Sequence, residues 1–124
     1  TSTRIALDES VATMDEVEAV YEQGWRGLFA VKPLRLGSVS RFLKWRERTQ
    51  AEIVYSTALE TAVGTEIGLR LAYSDLQNSY ALGFGVSHWF EDDAFSFVQD
   101  GPLLFPGRLS SGDYYRLWQH AGHC

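Results

Sequence analysis

Four short apolar runs recur along the chain, about 24 residues apart, and the first three each end on a polar or charged side chain. Ile5 to Leu7 stops at Asp8, Leu28 to Val31 at Lys32, and Ile53 to Tyr55 at Ser56 and Thr57. Tyr80 to Phe84 is the fourth, interrupted by Gly83 and followed by Gly85. A continuous run such as Leu28 to Val31 suits a strand covered on both faces. Strand and helix patterns alternating at this pitch predict parallel βα units. A doubly wound sheet and part of a (β/α)8-type barrel both fit.

The intervening segments carry helical signals. Thr13 can cap a helix running to Glu22, with Asp15 and Glu16 at its positive end and Met14, Val17, Val20 and Tyr21 on one face. Gly24 is a fitting stop. Ser38 or Ser40 caps a second helix to about Thr49, with Val39, Phe42, Leu43 and Trp45 as its buried stripe and Arg41, Lys44, Arg46 and Arg48 mostly solvated. Ala58 to Ala72 is a third helix, with Leu59, Val63, Ile67 and Leu71 inward. From Asp92 onward only Tyr114 to Trp118 reads as a short helix or turn. Residues 1–90 are therefore expected to form the βα units, and 91–124 a tail packed on them or on a further domain.

The totals narrow the classes. With 45% apolar and 14% aromatic residues, the chain can build a core. A net charge of −5, with no basic face, argues against nucleic acid. No apolar run reaches the roughly 18 residues that span a bilayer, so no membrane role is expected. The single cysteine, Cys124, excludes a disulfide framework or a cysteine-based zinc site. A reduced, cytoplasmic setting is the default expectation. The chain opens on Thr1 and Ser2 without an initiator methionine and enters a strand pattern at once. A portion of a longer protein is the expectation.

In parallel βα architectures the C-terminal strand ends open on one face, where sites assemble. Asp8 and Glu9, Lys32, Ser56 and Thr57, and Gly83 with Gly85 stand at those ends. An acid there can hold a hard divalent cation. A lysine can stabilise an anion or move a proton, and hydroxyls and glycine amides can bind a substrate carboxylate. Taken singly, each has an ordinary explanation: Asp8 and Glu9 as loop acids, Lys32 as a solvent-facing strand end, Ser56 and Thr57 as caps, the glycines as packing. Their joint occurrence at successive strand ends favours a site. His88, His120 and His123 lack metal spacing, and Trp89, Trp118, Tyr114 and Tyr115 read as packing. The stretch ALGFGVSHW lacks the third glycine of a dinucleotide loop.

Four motifs in order carry a resemblance: ALDES (Ala6–Ser10), VKPLRLG (Val31–Gly37), YSTALETAVG (Tyr55–Gly64) and ALGFGVSHWF (Ala81–Phe90). They resemble the C-terminal half of an enolase-superfamily barrel, and within that superfamily the o-succinylbenzoate synthases of cyanobacterial or plant-like type. The first two motifs are widespread in the superfamily; the last two are more specific. The resemblance implies an α/β fold, the C-terminal part (about strands five to eight) of an enolase-type (β/α)7β TIM barrel.

The resemblance also implies roles. Asp8 would be one carboxylate ligand of an essential Mg2+. Lys32 would be a catalytic lysine facing the substrate ring. Ser56 would contact the succinyl chain of a small-molecule substrate, Gly83 would do so through its amide, and Thr57 is a weaker candidate. Two further metal carboxylates and a lysine pair would belong to the missing N-terminal half of the same protein. The implied reaction is a syn dehydration on the route to menaquinone or phylloquinone. Other readings stand beside it: a related N-succinylamino-acid racemase or dipeptide epimerase, or a noncatalytic βα interaction domain.

Overall fold

A computed structural model describes residues 2 to 85, 103, 104, 106, 107 and 109 to 122. Three of the apolar runs become strands: β1 (Ala6–Leu7), β2 (Leu28–Val31) and β3 (Ile53–Tyr55). They form one parallel sheet in the order β1-β2-β3. Ala6 stands opposite Leu28 and Leu7 opposite Phe29. Phe29, Ala30 and Val31 then face Ile53, Val54 and Tyr55. The fourth run is shorter than expected: among the described residues it contributes a single parallel bridge, Gly83 to Ser56. Glycines on both sides of Phe84 weaken extended structure there.

Helices connect the strands and cover one face of the sheet. α1 (Met14–Glu22) starts at Thr13 in a reciprocal capping box with Glu16 and is followed by Gly24 at φ +99°. α2 (Val39–Thr49) is capped by Ser38, which accepts from the Arg41 N–H. Strand alternation sends Phe29, Val31, Ile53 and Tyr55 toward these helices, each at most 1% exposed. Ala30 and Val54, on the other face, remain partly exposed. Trp45 joins the helices to the sheet, meeting Tyr21 at 5.6 Å and Phe29 at 5.5 Å, both edge-on. Burying a side chain such as Phe42 contributes about 2–3 kcal/mol.

Two expected stripes are corrected. On α2, Phe42 and Trp45 are buried, but Val39 and Leu43 are each 41% exposed and Arg46 is buried. The Arg46 guanidinium donates to Asp75 at 3.0 Å and to the Ala51 carbonyl, and the Tyr55 hydroxyl donates to the same Asp75 oxygen at 2.7 Å. Burial and the neighbouring carboxylate push the Tyr55 hydroxyl well above its ordinary range. α3 runs Ala62–Ser74 rather than from Ala58, and it buries Gly64, Gly68 and Ala72 while Ile67 is exposed. Leu69 and Leu71 are buried on it too, and glycine stands where other side chains approach closely: a Cβ on Gly68 would lie 2.8 Å from the Phe84 ring.

α4 (Ser111–Ala121) is longer than the expected turn, begun by a Ser110–Asp113 capping box. Ahead of it, Leu104 accepts from the Tyr73 hydroxyl, and the Gly107 N–H donates to the fully buried Glu66. Leu104 and Leu109 pack on the core. Among the described residues, no helix is long and apolar enough to cross a membrane.

Candidate active site

The C-terminal ends of the strands gather the charged residues. The peptide of Ser56 is fixed on both sides. Its N–H donates to the Val31 carbonyl at 2.9 Å, and the Thr57 N–H donates to the Gly83 carbonyl at 3.0 Å. These bonds extend the register by one residue, setting Lys32, Ser56 and Gly83 side by side across β2, β3 and the bridge. Val31 and Tyr55 are buried against the helices, so alternation turns Lys32 and Ser56 to the opposite, open face.

Asp8 reaches the same face from β1. The Lys32 ammonium donates to an Asp8 carboxylate oxygen, and Glu9 lies 3.7 Å from it. The Lys32 side chain is only 12% exposed, whereas that of Asp8 is 50% exposed. An ion pair with so open an acid contributes at most about 1 kcal/mol to stability. Structural gain is therefore a weak reason to hold a lysine in this position.

The remaining candidates are placed differently. Gly83 lends space: a Cβ there would lie 3.1 Å from Ser56 Oγ. Its N–H donates to the Tyr55 carbonyl at 2.8 Å. Thr57 is buried and its hydroxyl donates to Glu60, so it turns away from the Lys32–Ser56 face. Neither Ser56 nor Thr57 caps α3, whose N-cap is Thr61. His88, Trp89 and His123 lie outside the described residues, while Trp118 and Tyr115 are exposed on α4, at 76% and 66%.

Sequence reasoning missed Glu60. Its two carboxylate oxygens each accept from the Ala58 N–H at 2.9 Å, and it also accepts the Thr57 hydroxyl. The signal was available, because Thr57-x-x-Glu60 has the form of a capping box.

Asp8 and Glu9 are hard oxygen donors of the type a small divalent cation prefers. Such an ion wants about six oxygens, and among the described residues no three His, Cys, Asp or Glu side chains cluster to hold a metal. The donor set fits as part of a metal site.

No protein-family model matches the chain. The o-succinylbenzoate synthase of Thermosynechococcus vestitus is 35% identical over 121 residues, covering 95% of this chain and 33% of the relative. Over nearly all of its length the chain is similar to o-succinylbenzoate synthases. The synthase of Mycobacterium tuberculosis is 33% identical over 89 residues, 72% of this chain and 27% of that protein. The chain spans about a third of the length of the curated relatives it matches. A crystal structure of o-succinylbenzoate synthase from Thermosynechococcus elongatus BP-1, complexed with magnesium in its active site, superposes with a TM-score of 0.71. It is 31% identical, and the match covers 97% of this chain and 34% of that one. The parallel βα units are thus a segment of an enolase-type barrel, as the four motifs implied.

Proposed function

We propose that this chain is the part of an o-succinylbenzoate synthase that supplies one metal carboxylate, one lysine and one substrate-binding hydroxyl. The reaction is the syn dehydration of 2-succinyl-6-hydroxy-2,4-cyclohexadiene-1-carboxylate to o-succinylbenzoate, in menaquinone or phylloquinone biosynthesis. The observation that carries this reading is the meeting of Lys32 and Asp8 on one open face beside Ser56. The named relatives support it.

The chemistry accounts for the residue types. The hydrogen removed lies α to a carboxylate and is weakly acidic, so the charge left behind needs strong stabilisation. Magnesium, when bound, supplies that stabilisation as a Lewis acid on the carboxylate oxygens. Asp8 gives it one oxygen ligand, with Glu9 alongside, and the remaining ligands come from the two-thirds of the family's length outside this chain. The base that takes the proton comes from that portion too. Lys32 presents its ammonium to the ring, where a cation near a π face favours the anionic state. The electron pair of the broken C–H bond then forms the ring double bond as hydroxide leaves, and the product is aromatic. Ser56 binds the carboxylate of the succinyl chain.

The test is a turnover assay on this chain joined to the upstream part of its protein, with magnesium and the cyclohexadiene substrate. Formation of o-succinylbenzoate, followed by ultraviolet absorbance, is expected. Racemisation of N-succinylamino acids without dehydration would contradict the reading.

A further inference from the structure

The three residues after Ser56 are held by two side chains. Thr57 Oγ1 accepts from the Leu59 N–H at 3.2 Å while its hydroxyl hydrogen goes to Glu60. Glu60 also takes the Ala58 N–H. Between these bonds Leu59 sits at φ +67°, a left-handed conformation that a leucine adopts at a cost. So short a loop, tied at each N–H, leaves Ser56 little freedom to shift. The Glu60 stem meets a second element. Gly64 has no side chain where a Cβ would come within 2.5 Å of Glu60 Cβ and 2.6 Å of Leu34 Cδ1. Leu34 lies two residues beyond Lys32, in the 3-10 turn Pro33–Arg35. The loop carrying Ser56 and the turn carrying Lys32 therefore rest on the same spot of α3.

From this we infer that Glu60 is a positioning residue for the dehydration, acting through Ser56, with Gly64 as the seat that lets the Ser56 loop and the Lys32 turn close together. Glu60 touches no substrate. The inference deepens the proposed function and rests on it for its kinetic readout, while its geometric readout stands alone.

Both readouts use the full-length protein. Glu60→Gln keeps the volume of the side chain and weakens its grip on two donors; Glu60→Ala removes it. Hydrogen exchange at the Ala58 and Thr57 amides should accelerate at least tenfold in both variants, with distant amides of β1 and α1 unchanged. Unchanged exchange at Ala58 would overturn the brace whatever the enzyme catalyses. In the kinetics, Glu60→Gln should raise KM about fivefold and lower kcat less than about threefold. Glu60→Gln combined with Ser56→Ala should raise KM no further than Ser56→Ala alone. Additive effects would show that Glu60 acts independently of Ser56 and would overturn the inference. If Glu60→Ala fails to fold, Glu60→Gln carries both readouts. Absence of dehydration in the unsubstituted protein would strike the proposed function and leave the exchange result to judge the brace.

Discussion

Gly83 and Ser56 face each other across the bridge that ends the sheet, so closely that a methyl group on Gly83 would stand 3.1 Å from the serine hydroxyl oxygen. The missing side chain is thus tied to a particular neighbour. Gly83→Ala should displace the Ser56 hydroxyl, raise KM several-fold in the full-length enzyme and cost about 1–2 kcal/mol of stability through overpacking. Ser56→Ala should raise KM with little change in stability. Kinetics paired with urea titrations check both; an unchanged KM in Gly83→Ala would mean that Ser56 does not meet substrate.

The buried Arg46–Asp75–Tyr55 cluster should dominate the acid sensitivity of the fold. Burial alone would raise the Asp75 carboxyl, yet the Tyr55 hydroxyl and the Arg46 guanidinium hold it below its ordinary value. A depressed carboxylate contributes stability above its unfolded pKa of about 3.9, and that contribution is lost as pH falls through the lower folded value. Asp75→Asn leaves the Arg46 charge uncompensated, with side-chain exposures of 7% and 4% for the pair. It should cost about 3–5 kcal/mol near neutral pH. It should also flatten the stability profile below about pH 4. Urea unfolding at several pH values measures this, and an unaltered acid limb would refute the linkage.

Metal binding should distinguish this polypeptide from a full-length synthase. Asp8 with Glu9 supplies too few oxygens for magnesium, so calorimetric titration of this polypeptide should give at most millimolar affinity and no turnover. The full-length protein should bind far more tightly, and Asp8→Asn should remove most of that gain. Synthase-level turnover by this polypeptide alone would overturn the division of ligands.

The strand ends were legible in the sequence because a charge terminating an apolar run leaves a mark that needs no tertiary knowledge. Asp8 and Lys32 were placed at strand ends that way, with Ser56 as a polar counterpart, while Thr13 was read as a cap of α1 and Ser38 or Ser40 as that of α2. Two of the misread features depend in part on partners distant in sequence. Arg46 is buried because Asp75 and the Ala51 carbonyl receive it, and nothing around Arg46 announces that. On α3 the close approach of Glu60 and Leu34 at Gly64, and of Phe84 at Gly68, selects glycine at two buried positions beside the large buried Leu69 and Leu71. The start of α3 moved to Ala62 because Glu60 satisfies the loop amides before the helix begins.

The most direct measurement is the turnover of Lys32→Ala in the full-length protein, alongside its substrate affinity and magnesium affinity. The ammonium is needed most when the ring carries negative charge, so kcat should fall about 100-fold or more while KM changes less than about threefold. Magnesium affinity should hold or improve, since Asp8 loses a competing cation. A variant that turned over the cyclohexadiene substrate at the unsubstituted rate would show that Lys32 and Asp8 meet for a structural reason alone.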